Sequence, residues 1–444
     1  MKHLFNIIFC LILLLQPKVY AESIDRTILQ SGINKGAVAV SVKDLETGKT
    51  VYKLNDKKPS IPASTLKVVT TSAAYDRLGK DFEFSTKLYK TTNNDLFLKL
   101  SADPFLTSSD LNKLFETAKN KKILEPKLIY IDDYIFDNIE WGEGWQWDDD
   151  LNPLMPKFSS YNIDKNLLNV VVSPTTKDAP ANVYTTKFYP TTFMNQVVTG
   201  SENHITISRM NNISPDIISI EGTIRKQITK QIPINYLKRY FILRLEDAIK
   251  NAKIEYYAAF PQKKTPQNNI YLVDEINHPI DSALKEIFKN SNNLIAETVF
   301  KSAGADYVNN TGSFENSQKM LFDYFEKIGL NHEDIRIVDG SGVSKNNMVT
   351  ADFMTEFLLK MPEDLKAYLP APGEGTLKSR MLYFKDNLRA KTGTHCTESA
   401  LAGFITARSG KTYAFDIMIN DPKSKSSDKK TLEEYILRDI YANF

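Results

Sequence analysis

The chain has 444 residues, 42% hydrophobic and 25% charged, a balance that permits a large core and excludes a disordered polymer. At ~150 residues per domain this length suggests two or three domains. The formal net charge is +2, and loss of residues 1–21, with Lys2 and Lys18, would bring it to zero; composition therefore gives no ground for nucleic acid or an anionic membrane surface as a partner.

Residues 1–21 read as a secretory signal: Lys2 in a short basic start, an apolar run from Leu4 to Leu15, and Val19-Tyr20-Ala21 as a small-residue cleavage site. The apolar run is too short to span a membrane, so export to the periplasm or cell-wall space is expected, with no transmembrane anchor after processing. Cys10 lies inside the run rather than at its end, against a lipoprotein site. Only Cys396 would remain, which excludes an internal disulfide and a cysteine zinc site.

Residues 36–54 alternate apolar and polar side chains about Glu46-Thr47-Gly48-Lys49, the pattern of an antiparallel hairpin. A helix should follow, with Pro62 in its first turn, Leu66, Val69, Ala73 and Leu78 facing inward and Gly79 ending it. Residues 82–275 then change character. Short strand-like runs at 127–131, 167–172 and 204–207 are separated by Asn, Asp, Thr and Pro clusters, which predicts a β-rich insertion of one or two small domains. Helical periodicity returns at 294–303 and 314–328, and 400–420 reads as a second hairpin around Ser409-Gly410-Lys411. A polar loop at 421–430 leads to a last helix with Leu432, Tyr435, Ile436 and Ile440 on one face, placed to pack against the central sheet.

Several reaction classes drop out because the chain has no H-E-x-x-H, G-x-x-x-x-G-K-[ST], G-x-S-x-G or strand-associated G-x-G-x-x-G. His204, His278, His332 and His395 lack spaced ligand or triad partners and read as surface or loop residues. Three short motifs remain, in the order Ser64-Thr65-Leu66-Lys67, Ser291-Asn292-Asn293 and Lys391-Thr392-Gly393. S-x-x-K alone is weak, since it recurs at Ser282/Lys285, Ser426/Lys429 and Ser427/Lys430, and S-x-N recurs at Ser160/Asn162 and Ser344/Asn346. K-[ST]-G occurs once.

Residues i and i+3 of a helix share a face, with Cβ atoms about 5–6 Å apart, so Lys67 can reach the Ser64 hydroxyl. It acts as a base only when neutral, a form favoured by burial and by a second cation such as Lys391. Ser291 is either a helix N-cap or a proton relay to a leaving amine, with Asn293 bonding a substrate amide. Lys391 and Thr392 would hold a terminal carboxylate, Gly393 would allow close backbone approach, and the N–H groups of Ser64 and Thr394 would stabilise an oxyanion.

This ordered set resembles that of class A β-lactamases and penicillin-binding proteins. The stretches NSNNLIAETVFKSAG, VDGSGVSKNNMVT, LPAPGEGTLKSRM and RAKTGT resemble more narrowly the type-4 low-molecular-mass penicillin-binding proteins, and more than 200 residues between Ser64 and Ser291 leave room for an insertion like theirs. The resemblance implies an α/β (α+β) transpeptidase/β-lactamase-like domain with an antiparallel sheet and flanking helices, from residues 22–81 and 276–444, interrupted by 82–275. It implies a serine D-Ala-D-Ala carboxypeptidase and/or DD-endopeptidase acylated at Ser64, with peptidoglycan peptides and β-lactams as partners and no metal or organic cofactor. SADPFL (101–106) and GEGWQWDDD (142–150) are similar to family segments, which would bring Asp149 to a cationic group of the peptide stem. The rivals are a serine β-lactamase, which the long insertion disfavours, and a wall-binding or antibiotic-sensing protein that turns nothing over.

Overall fold

Residues 22–257 and 259–444 are described by the structure, a computed structural model; the export signal read at residues 1–21 lies outside them. Helix α1 (22–30) leads into strands β1 (Val38–Asp44) and β2 (Thr50–Leu54), the first expected hairpin. Its turn is closed by Asp44, whose Oδ1 accepts from the Thr47 N–H at 2.8 Å. A 3-10 turn, Ala63–Leu66, then precedes α2 (Lys67–Leu78), which ends at Gly79 with φ +83° as expected of a glycine stop.

The segment that follows carries β3 (Glu83–Thr91), β4 (Leu96–Lys99), α3 (Ser108–Asn120), β5 (Ile129–Asp132), β6 (Leu167–Ser173), β7 (Asn182–Thr185), β8 (Thr192–Thr199), β9 (His204–Arg209), β10 (Ile217–Ile224), β11 (Ile228–Pro233), α4 (Leu237–Asn251) and β12 (Ile270–Pro279). They form three sheets, ordered β12-β3-β4-β5, β11-β6-β7 and β8-β10-β9. Helices α3 and α4, which the strand-like runs did not announce, pack Leu111, Leu114, Phe115, Phe241 and Leu245 into a second core shared with Leu88, Leu98 and Val170.

Beyond β12 come α5 (Ile280–Asn290), α6 (Asn293–Val308), α7 (Phe314–Lys327), α8 (Ala351–Lys360), the short α9 (Glu363–Lys366), β13 (Leu388–Thr394), β14 (Glu398–Thr406), β15 (Thr412–Asn420) and α10 (Ser426–Asn443). The second hairpin is thus present. Both chain ends build one antiparallel sheet ordered β13-β14-β15-β1-β2.

Its position explains why β1 is buried at every residue rather than at alternate ones. Val38, Val40 and Val42 pack with Leu432, Ile436 and Ile440 of α10, while Ala39 joins a core with Met354, Phe357 and Leu358 of α8. The polar residues on that second side find partners: Ser41 Oγ meets Thr355 Oγ1 at 2.7 Å, and Lys43 pairs with Asp352 at 2.8 Å and with Glu356. α10 covers the sheet as expected, except that it begins at Ser426, inside the segment read as a loop, and Tyr435 is 48% exposed. Each fully buried aliphatic side chain here is worth ~1.5–3 kcal/mol, which fixes the sheet and helices that carry the motifs.

Candidate active site

Ser64 stands in the 3-10 turn rather than in the α-helix proper. At three residues per turn, positions i and i+3 eclipse, so Lys67 lies directly alongside, with Nζ 2.9 Å from Ser64 Oγ. The turn opens on Ala63 at φ +48° and is wedged between two glycines. A Cβ on Gly342 would sit 2.0 Å from the Ala63 carbonyl oxygen, and one on Gly393 would sit 2.8 Å from the Pro62 oxygen and 3.0 Å from the Ser64 nitrogen. Only glycine lets the loop at 339–344 and strand β13 close on the serine from both sides.

Lys67 is completely buried. Its Nζ also donates to Asn293 Oδ1 at 2.7 Å and to the Ser341 carbonyl at 2.6 Å. Burial lowers its pKa to about 7, against the opposing pull of Asp339 and Glu297. Of the two expected causes, burial acts at Lys67, whereas the repulsion between the two lysines is felt at Lys391, which burial first and Lys67 second hold well below the ordinary lysine value. A neutral Lys67 has two N–H bonds for its two carbonyl acceptors and one lone pair for the Ser64 hydroxyl.

Ser291 is the C-cap of α5, in the left-handed region at φ 58°, ψ 34°, while Asn292 caps α6 by accepting from the Ile295 N–H. The capping role considered for Ser291 therefore belongs to its neighbour, and the Ser291 hydroxyl instead lies 2.8 Å from Lys391 Nζ. A non-glycine residue held in the left-handed region stores strain, and such residues cluster at functional sites. Lys391 Nζ also donates to the Thr392 carbonyl at 2.8 Å.

β13 is an edge strand. The Ala390 N–H points out of the sheet, to the Pro370 carbonyl at 3.0 Å; by antiparallel alternation the N–H groups of Thr392 and Thr394 leave by the same edge. Both residues line a cleft of about 460 Å³ together with Ser64, Ser291 and Asn293.

The cleft thus gathers Ser64, Ser291, Asn293, Thr392 and Thr394, with Lys67 and Lys391 bonded beneath and Gly393 against the serine turn. Asn293 is more committed than expected, since its Nδ2 donates to the Leu154 carbonyl at 2.8 Å while its Oδ1 accepts a hydrogen bond from Lys67 Nζ. Asp149 is not brought to the lining; it sits half-exposed in the turn Trp147–Asp149, and Pro153, Leu154 and Pro156 of the same loop line the cleft instead. The duplicate motifs go elsewhere: Lys285 pairs with Asp281, and Lys429 holds the carbonyls of Thr397 and Asp421.

Several supporting residues escaped sequence reasoning. Glu297 accepts from the Gly340 and Ser341 N–H groups at 3.0 and 2.8 Å, and Asp339 accepts from the Gly342 and Ser344 N–H groups, Asn347 Nδ2 and, at 2.9 Å, Trp145 Nε1. Together they aim the Ser341 carbonyl at Lys67. Glu297 and Lys301, charges four apart in the otherwise uncharged stretch 293–305 of this helix, were the available signal. His278, read as an ordinary surface residue, places Nδ1 2.6 Å from Oδ2 of the buried Asp103. Among the described residues no group of three or more His, Cys, Asp or Glu is placed to hold a metal ion.

Fold and geometry define an active-serine enzyme of the penicillin-binding and β-lactamase type. Residues 20–438 match the D-Ala-D-Ala carboxypeptidase 3 (S13) family, and the chain belongs to it. It is 24% identical over 428 residues to D-alanyl-D-alanine carboxypeptidase DacB of Haemophilus influenzae, covering 91% of this chain and 88% of that protein. It is 26% identical over 438 residues to a D-alanyl-D-alanine carboxypeptidase of Actinomadura sp. (strain R39), covering 90% and 80%. The crystal structure of penicillin binding protein 4 from H. influenzae superposes with a TM-score of 0.84 at 23% identity, covering 94% of this chain and 99% of that one.

Proposed function

We propose that this serine D-Ala-D-Ala peptidase, exported to the periplasm or cell-wall space, uses Ser64 to cleave the terminal D-Ala-D-Ala bond of peptidoglycan stem peptides. Residues 22–81 and 276–444 form the reacting domain, and 82–275 an insertion that supplies one wall of the cleft. Neutral Lys67 removes the Ser64 proton as Oγ bonds to the carbonyl carbon. The N–H groups of Ser64 and Thr394 hold the oxyanion, and the terminal carboxylate lies along Thr392 over Lys391. Collapse breaks the C–N bond, and the proton held on Lys67 passes through the Ser291 hydroxyl to the departing amine. Water then attacks the ester, returns a proton to Ser64 by way of Lys67, and releases the shortened peptide. A cross-link between D-Ala and a diamino acid is cut by the same steps.

The observation that carries this reading is the contact set of Lys67: two carbonyl acceptors and one hydroxyl, in full burial. A second solved structure of the H. influenzae protein is a complex with a β-lactam, and a penicillin offers Ser64 the same kind of carbonyl while keeping its leaving nitrogen tethered. Mass spectrometry of the penicillin-treated protein should find the adduct on Ser64, and none in Ser64→Ala. Label persisting in that variant would refute the assignment.

A further inference from the structure

Asp164, Lys165 and Asn166 are three consecutive residues with φ of 51°, 60° and 58°, and none is glycine. Aspartate and asparagine enter the left-handed region more readily than lysine, but as single residues rather than three in a row, so something must over-determine the turn. The outer two are fastened. The Asp164 carboxylate accepts from the Ser108 N–H at 3.1 Å and Oγ at 2.5 Å, Lys187 Nζ at 2.7 Å and the Tyr240 hydroxyl at 3.0 Å. Asn166, fully buried, accepts from the Ile163 N–H and donates to the Lys157 carbonyl and Asn162 Oδ1, both at 2.8 Å.

The middle residue is left over. Among the described residues Lys165 makes no hydrogen bond or ion pair, it is exposed, and it lines the same cleft as Ser64, Ser291 and Thr392. It is the single charged residue in that lining; its neighbours on the wall from the inserted segment are Pro153, Leu154, Pro156 and Leu167. A strained turn locked on both sides, presenting one unpaired cation to an otherwise uncharged cleft, is a device for holding an anion.

We propose that Lys165 is a specificity-determining residue that binds a second carboxylate of the substrate, on the acyl-donor side of the scissile bond. This rests on the reaction proposed above, in which the terminal carboxylate occupies β13 and Lys391. The inserted wall then meets the part of the peptide that remains on Ser64, and the preferred donor is an acidic peptide.

The test uses two synthetic substrates, γ-D-glutamyl-L-lysyl-D-alanyl-D-alanine and its counterpart with the glutamyl α-carboxylate amidated. Wild type should prefer the acid. Lys165→Met should lower kcat/KM on the acid roughly tenfold, mainly through KM, as expected for loss of one charge-assisted contact; the amide and the rate of penicillin labelling should stay within about twofold. Lys165→Arg should keep the preference. Lys165→Gly guards against misfolding, because glycine adopts this φ freely, and it should lose the preference with a melting temperature no lower than wild type. Equal kcat/KM for acid and amide in wild type, or an equal fall on both in Lys165→Met, would overturn the assignment while leaving the reaction intact. A wild type that penicillin fails to label at Ser64 would overturn the reaction, and this inference with it.

Discussion

Replacing Lys67 with methionine should separate stability from chemistry. A buried lysine whose pKa falls from 10.5 to about 7 opposes folding by about 1.36 kcal/mol for each pKa unit, or roughly 4–5 kcal/mol at pH 7. The sign follows from proton binding. The folded-state pKa lies below the unfolded one, so the penalty is full below about 7 and is relieved as pH rises toward 10.5. Methionine abolishes it but leaves Asn293 Oδ1 and the Ser341 carbonyl without a donor, at ~1–3 kcal/mol each. The net change at pH 7 is therefore small. The difference lies in the slope: between pH 7 and 9.5 wild type should gain about 3 kcal/mol relative to Lys67→Met. Urea denaturation of both proteins at the two pH values measures this, and penicillin labelling of the same samples should fall at least ~100-fold in the variant. Parallel stability curves would show that the amine is charged in the folded state, and the general-base argument would fail with them.

The same lysine predicts that the second-order rate of penicillin acylation in wild type drops about tenfold per pH unit below pH 7, as the neutral fraction falls; a rate unchanged between pH 5 and 8 contradicts it. Gly393→Val places a side chain 2.8 Å from the Pro62 oxygen and 3.0 Å from the Ser64 nitrogen. Displacing the nucleophile by even ~1 Å should slow acylation about 100-fold, read by stopped-flow with a fluorescent penicillin. Trp145→Phe removes one of four donors from the buried Asp339, at ~1–3 kcal/mol. A lower urea midpoint checks it, and an unchanged midpoint would mean that the loop at 339–344 stands without the tryptophan.

Elements with local signatures were legible in the sequence. Both hairpins of the five-stranded sheet follow from alternation about a glycine turn, and the face of α10 follows from its period. The sheet's order did not, because nothing local says that β1 lies between β2 and β15; for the same reason the alternation carries no sign that helix α8 meets the polar Ser41 and Lys43. The motif residues were legible by type and order, and their partners were not. Glu297, Asp339 and the Ser341 carbonyl act through backbone groups or through contacts between residues far apart in the chain, which leave no spacing signal. Asp149 shows the converse: a resemblance between loops carried the residue but not its position, and the loop reaches the cleft a few residues later, at Pro153 and Leu154.

The two buried acids beneath the site bear on how it works at neutral pH. An ionised carboxylate close to Lys67 favours the ammonium, the form that cannot accept the Ser64 proton. Two features limit this. Burial, and then the charge of Asp339, push the Glu297 pKa upward, which weakens its hold on the ammonium. The Asp339 carboxylate, in turn, is engaged by four hydrogen-bond donors of its own loop and of Trp145. Asp339 thereby shapes the loop that directs the Ser341 carbonyl to the amine, without becoming its ion-pair partner. Two acids could have locked the lysine as a cation; held in this way, they orient it and leave its lone pair to the serine.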